Sequence, residues 1–284
     1  MTASAESVKY LRDLVKRRSA IVIEDGKEYL VQARLEPVAR EEGVRNIDEL
    51  ITVVRRNEDS PAARKVVEAM TTNETSFFRD VHPWETLKKT ILPALVDARA
   101  TSRRLRIWCA AASTGQEPYT IAMVIREHFP ELASWDVQIL ATDINRAVLE
   151  RAKTGTYRQL EVNRGLPAPL LVKYFQRKGA EWELKPEIRQ MVTFEALNLV
   201  ERWTLFSTHD LVYMRNVLIY FDVPTKREIL SRTRQHLGDD GYLVLGGAET
   251  TLNLDDQWDL VRAGNTIVYQ PRNVEPNKVF HASR

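Results

Sequence analysis

Cysteine is nearly absent. Cys109 is the one thiol in 284 residues, so no internal disulfide can form and the composition fits a reducing compartment. The five histidines are scattered without metal-ligand spacing, and no metal centre is expected. No apolar run approaches the roughly 20 residues that a membrane-spanning helix needs, and residues 1–11 lack the apolar segment of a secretory signal. The expectation is a cytoplasmic protein without membrane insertion. Neither sign of charge dominates: 41 Lys and Arg stand against 39 Asp and Glu, for a formal net charge of +2. Bulk binding to nucleic acid is therefore not expected. Repeats and low-complexity tracts are missing too. What is present is an ordinary globular composition, 44% hydrophobic and 28% charged, with room for one large or two smaller domains.

Residues 1–72 read as a small helical domain. Residues 7–18 put Val8, Leu11, Leu14 and Val15 on one face, and 27–42 align Leu30, Val31, Leu35 and Val38 before Gly43 ends the helix. Pro37 is expected to kink or divide that second helix. Two shorter amphipathic pieces follow at 47–56 and, behind Ser60-Pro61, at 62–70. Lys16, Arg17, Arg34, Arg40, Arg45, Arg55 and Arg56 could form a binding surface or simply a solvated face. Residues 71–84 have no period. As a free linker they would be unusual, because Phe77, Phe78 and Trp84 must pack on something. A helix over 84–98 is predicted, interrupted near Pro93.

Beyond residue 103 the pattern alternates strand and helix, the mark of a parallel α/β sheet with crossover helices. Strands are expected at 104–110, 137–142, 192–196, 209–215 and 241–245, and a hairpin pairs 258–261 with 266–270. Helices are expected at 118–128, from 144 to 153, and at 224–237, the last closed by Gly238. Residues 154–190 are too long for a simple connection. They read as a small β insertion, with strands at 173–176 and 181–184 around a Lys178-Gly179 turn.

The stretch 105–123 runs from an apolar strand through small residues to Gly115 and then into a helix that Pro118 is suited to open. Such a turn cradles a nucleotide-like ligand at the end of a parallel sheet. It lacks the dinucleotide fingerprint, because Ala111 and Ser113 occupy glycine positions and Asp143 lies 28 residues past Gly115 rather than about 20. A nucleoside without phosphates fits better, and S-adenosylmethionine is the obvious one. Asp143, after the second strand, is placed to accept hydrogen bonds from ribose hydroxyls or to cap the next helix. Glu117 is either a first-turn carboxylate favoured by the helix dipole or a holder of a cationic group. Asn198-Leu199 could meet an adenine edge or be plain loop. Asn216 ends the fourth strand, where ligands meet open α/β sheets; Tyr220 and Phe221 read as core or pocket wall. Cys109 reads as a small buried hydrophobe. No nucleophile–base pair can be nominated from spacing. That absence suits a carboxylate substrate, which with a pKa of about 4.3 is ionised at neutral pH and needs no general base.

Four motifs carry a resemblance: TTNETSFFR (71–79), WCAAASTGQEPYTIA (108–122), ATDI (141–144) and RNVLIYF (215–221). In this order they are similar to the CheR family of chemotaxis receptor methyltransferases. The resemblance implies a Rossmann-like class I sheet carrying a small β insertion at about 156–191, preceded by the all-α domain. It makes 73–98 a linker and helix that contribute to the cofactor pocket, and 99–284 the methyltransferase domain. It implies S-adenosylmethionine-dependent methyl ester formation on receptor glutamates, with S-adenosylhomocysteine as product. It also implies cofactor contacts from Asn73, Thr75, Arg79, Glu117, Asp143, Asn198, Leu199, Asn216 and Val217. Among these Arg79 would suit the methionine carboxylate and is a candidate contributor to catalysis, while no general base is assigned. Residues 246–250 (GGAET) stand where the family commonly has Gly-His-Ser-Glu, so no role of that His or Ser carries over.

The implied partner is the helical bundle of a chemoreceptor's cytoplasmic region, with recruitment to receptor arrays, a monomeric state and a regulatory protein left open. Some relatives grip a receptor's C-terminal pentapeptide through the β insertion. The turn at Arg177–Ala180 looks shorter here, which predicts independence of that tether. Two other readings stay open: a cofactor-binding adaptor without catalysis, and a methyltransferase acting on another protein or on nitrogen. An enzyme acting on an amide or base nitrogen would usually carry an Asn/Asp-Pro-Pro-Tyr-like motif, and Arg215-Asn216-Val217-Leu218 is not one.

Overall fold

The computed structural model describes residues 3–203 and 207–272. Helix α1 (Ala5–Ser19) starts at Ser4, whose hydroxyl accepts the Ser7 amide; Asn46 and Ser60 do the same for α3 (Ile47–Arg56) and α4 (Pro61–Ala69). Between them α2 (Glu28–Glu41) runs unbroken through Pro37. The expected division is absent because Pro37, and Ala33 whose carbonyl it orphans, both face solvent. Leu11, Leu14, Leu35, Leu50, Val54 and Val66 form the fully buried heart of this bundle.

After the irregular segment 71–81 comes α5 (His82–Thr86), a π-helical turn (Leu87–Ile91) and α6 (Leu92–Ala98). Here the interruption expected at Pro93 is real. Pro93 cannot donate to Lys89 and crowds its carbonyl, so the preceding turn widens until Leu92 N–H bonds to Leu87 O.

The remaining strands are β1 (Arg104–Ala110), β2 (Asp136–Asp143), β3 (Thr156–Arg158), β4 (Phe175–Lys178), β5 (Glu181–Leu184), β6 (Val192–Ala196), β7 (His209–Met214), β8 (Leu237–Leu245), β9 (Trp258–Ala263) and β10 (Thr266–Pro271). Seven form one sheet in the order β6-β2-β1-β7-β8-β10-β9. The first five are parallel, and β10 lies antiparallel between β8 and β9. The strand order reverses between β1 and β7, so their carboxyl ends open a crevice. Helices α7 (Gln116–His128) and α8 (Arg146–Thr154) follow β1 and β2.

Between β3 and β6 lie the short helices α9 (Gln159–Asn163), α10 (Ala168–Tyr174) and α11 (Pro186–Arg189). Helix α12 (Val223–Gln235) leads into β8. It ends earlier than expected, and Gly238 is inside β8 rather than a helix cap. The two glycines here serve a bulge. Pairing shifts between His209–Leu237 and Leu211–Tyr242, and a Cβ on Gly241 would sit 2.7 Å from Leu237 Cδ1.

The insertion is a three-stranded antiparallel sheet, β3-β5-β4. Its first expected strand moves by two residues, since Lys173 and Tyr174 complete the last turn of α10. The β4–β5 loop is only Gly179 and Ala180, because Lys178 pairs with Glu181; Gly179 takes the left-handed φ of 63° that so tight a turn favours. Phe77 joins the insertion to the main sheet. Its ring meets Tyr157 edge-on at 4.9 Å and Phe175 at 5.7 Å, and a Cβ on Gly165 would collide with its carbonyl at 2.0 Å.

Candidate cofactor and active site

The turn after β1 takes left-handed φ at Ala111 (56°), Ser113 (51°) and Gly115 (91°). Two of these positions lack glycine and hold a conformation costing about 1–2 kcal/mol each for an L-residue. At Gly115 a Cβ would press on Ala152 at 3.0 Å and Tyr119 at 3.1 Å. Helix α7 begins at Gln116, two residues before the expected start. Pro118 is its third residue, still among the first four whose N–H has no partner within a helix.

Asp143, at the end of β2, is buried. Its Oδ2 accepts the Ser113 amide at 2.8 Å and its Oδ1 the Asn145 amide at 2.9 Å. Burial raises its pKa against these two donors. It does not cap α8. Asn145 does, accepting from the amides of Ala147 (3.0 Å) and Val148 (3.3 Å). The Asn145 Nδ2 also donates to Glu68 O (3.1 Å) and Thr71 Oγ1 (3.2 Å), which fastens this corner to the helical bundle. Sequence reasoning missed Asn145, although an Asn just before a helix is itself a cap signal.

One cleft gathers Asn73, Asp143, Asn198, Leu199, Asn216 and Val217, six of the nine residues named from the sequence. Ala111 and Ile144 line it from the sheet side, Ser19 and Ile21 from the bundle, and Tyr220 and Phe221 complete its wall. No lysine or arginine lines it. Asn198 is held by donating to Arg18 O at 2.7 Å. Asn216 adopts φ 59°, and its Oδ1 is buried without a partner. The carboxylate of Glu249 accepts the amides of Asn216 (2.7 Å), Val217 (2.8 Å), Ile219 (3.3 Å) and Gly246 (2.7 Å).

The other three residues lie elsewhere. Thr75 lines a neighbouring depression with Thr114, Gln116 and Arg151. Arg79 donates to Glu74 O at 3.2 Å. Glu117 is largely buried, with 13% of its side chain exposed, and its Oε2 accepts from Arg215 Nη1 at 3.0 Å. Burial raises the Glu117 pKa, while the Arg215 charge opposes that. Arg215 also donates to Asp80 at 2.6 Å and Arg79 O at 3.2 Å, and its guanidinium lies 5.7 Å from the Trp84 ring centre. Its side chain is only 1% exposed. Arg215 is thus the hub joining the 79–84 segment to α7. The signal for it was an arginine at the carboxyl end of a central strand, where a charge has no packing use.

Among the described residues no group of side chains has metal-ligand geometry, and no helix is long and apolar enough to cross a membrane. A family model described as "CheR methyltransferase, all-alpha domain" matches residues 6–71, and one described as "CheR methyltransferase, SAM binding domain" matches 73–267. "Chemotaxis protein methyltransferase 1" of Pseudomonas aeruginosa is 39% identical over 277 residues, which is 96% of this chain and 100% of that protein. "Chemotaxis protein methyltransferase Cher2" of Pseudomonas putida is 37% identical over 266 residues, 92% and 96% of the two chains. The Escherichia coli "Chemotaxis protein methyltransferase" is 34% identical over 264 residues, 90% and 88%. The seven-stranded sheet with its antiparallel final pair is the Rossmann-like sheet of class I methyltransferases. The chain therefore belongs to the CheR methyltransferase family, with an all-α N-terminal domain and an S-adenosylmethionine-binding domain.

Proposed function

We propose that this chain methylates glutamate side chains on the cytoplasmic helices of chemoreceptors, forming methyl esters. The observation that carries the reading is the cleft itself: a buried carboxylate, an unpartnered amide oxygen and apolar walls, with no basic side chain to grip phosphate. That donor set fits a nucleoside joined to an amino acid. The names of the relatives support the receptor substrate.

In this reading Asp143 accepts hydrogen bonds from the ribose hydroxyls through the lone pairs left by Ser113 and Asn145. Ile144, Leu199 and Val217 flank the adenine, with Asn198 and Asn216 at its polar edge. Asn73, Thr75 and Arg79 bound the methionine end, where Arg79 meets a carboxylate and the Glu117 carboxylate accepts from both Arg215 and the amino group. S-adenosylmethionine supplies an electrophilic sulfonium methyl. The substrate glutamate is already ionised, so these residues need only orient it and exclude water.

On the bundle, Arg17, Arg45 and Arg55 are paired with Glu58, Glu49 and Glu6, and Arg34 donates to Met70 O. Lys16, Arg40 and Arg56 are exposed and have no ion pair among the described residues. These three form the strongest candidates for contact with acidic receptor helices, and a monomer meeting them at receptor arrays is the expected arrangement. The two-residue β4–β5 loop supports independence of a C-terminal pentapeptide.

The test is transfer of tritiated methyl groups to receptor cytoplasmic fragments with and without their C-terminal peptides. Base-labile label on both forms is expected. Base-stable label would assign nitrogen as acceptor, and cofactor binding without any label would assign an adaptor.

A further inference from the structure

The geometry points to Glu249 as a positioning residue of the cofactor site, holding by its carboxylate the left-handed turn that forms one wall of the cleft. The inference rests on reading that cleft as the S-adenosylmethionine site.

Residues 216–219 leave the end of β7 with amides of Asn216, Val217 and Ile219 converging on one point. Such a group of N–H donors forms an anion site. Here the anion is internal. Glu249 Oε2 takes the Asn216 amide at 2.7 Å, and Oε1 takes Val217 at 2.8 Å and Ile219 at 3.3 Å. Glu249 reaches them from a tight turn after β8, closed by its own N–H on Gly246 O at 2.9 Å, while its Oε2 accepts the Gly246 amide in return at 2.7 Å. Pairing of Met214 with Leu245 sets the two strand ends side by side, so the carboxylate bridges neighbouring strands at the crevice.

Three features show that this bridge sets local geometry as well as satisfying amides. Asn216 sits at φ 59°, in the left-handed region that asparagine enters more readily than other L-residues, and its amide is aimed at Glu249 by that turn. The space is fully used: a Cβ on Gly246 would lie 2.7 Å from Glu249 Oε2, 2.8 Å from Asn216 Nδ2 and 2.9 Å from Asn216 N. The held turn carries Asn216, Val217 and Tyr220, all lining the cleft, and Tyr220 O in turn accepts the Val22 amide at 3.2 Å from the helical bundle. Glu249 touches none of the cleft itself. It acts through the backbone that presents those residues.

Glutamine at this position keeps the shape but sets an NH2 donor against converging amide donors. Glu249→Gln should weaken S-adenosylhomocysteine binding by about tenfold or more, the scale of a lost charge-assisted hydrogen bond. It should also raise the KM for S-adenosylmethionine while leaving the KM for receptor fragment unchanged. Amide hydrogen exchange should quicken at 216–219 and stay slow in β1 and β2. Gly246→Ala, which keeps the carboxylate but displaces it, should show the same selective loss. Wild-type affinity in both variants, with only a lower Tm, would overturn the inference and leave Glu249 a structural residue. Failure of the wild-type protein to bind S-adenosylhomocysteine would instead sink the assignment of the cleft.

Discussion

The two ends of the crevice are built by different physics. At the Asp143 end a buried carboxylate is met by backbone amides of its own turns, and the same device recurs at Glu249. At the Arg215 end, buried charges are met by other side chains, Glu117 and Asp80. Backbone donors cannot be moved without refolding the turn, so the first end is preformed. Side-chain ion pairs can exchange partners, so the second end is suited to admit a charged group by sharing its ions. A ligand with a neutral nucleoside at one end and a zwitterionic amino acid at the other matches that division.

Breaking the ion pair should have the largest effect. Arg215→Met leaves Glu117 buried and unpaired, and a loss of about 3–5 kcal/mol is expected in urea unfolding. Adding Glu117→Gln should recover part of it. A single variant as stable as wild type would mean that the ion pair supports nothing.

The amide-held end should answer in affinity first. Asp143→Ala should weaken S-adenosylhomocysteine binding by about 1.5–3 kcal/mol by calorimetry; unchanged affinity would remove Asp143 from the ribose role.

The same residue sharpens the comparison through pH. Burial raises the Asp143 carboxyl in the folded state, so it holds its proton more tightly folded than unfolded. Its contribution to stability is therefore present below the ordinary Asp value and lost as pH rises from about 4 through the raised value. Asp143→Asn should flatten that part of the stability–pH curve. A curve parallel to wild type would contradict the burial effect.

The smallest effects belong to the bundle. Arg40→Glu with Arg56→Glu should leave cofactor affinity untouched and raise the KM for receptor fragments at low salt, with the difference fading at high salt. Equal KM at both salts would return these arginines to a solvated face.

Most strands and long helices were legible in the sequence because burial writes a period into it, as in β1 with its run to Cys109 and Ala110. Asp143 and Asn216 were marked as cleft residues by their strand ends, whereas Asn198 read as plain loop and only the family resemblance brought it in. The misplacements lie at element ends, where helix starts, caps and bulges use the same residue types. Gly238 resembled a helix cap until pairing of β7 with β8 claimed it, while Pro118 and Lys173 fell inside helices that begin earlier or run longer than their residues announce. The roles of Arg215 and Glu249 were only partly legible: a strand-end position marks Arg215, but the partners that define each role are 98 and 33 residues away in the chain. Nothing local names the group that such a charge will meet.

The seat of Phe77 bears on how the protein would respond to force. Its ring is wedged between Tyr157 and Phe175, and its carbonyl rests against Gly165. The insertion is therefore not an appendage on a hinge but a continuation of the wall that carries Asn73, Thr75 and Arg79. A pull on its outer strand would be felt at Thr75 and Arg79 within a few bonds. Excising it would not yield a trimmed enzyme, because the wall would lose the surface against which it is cast.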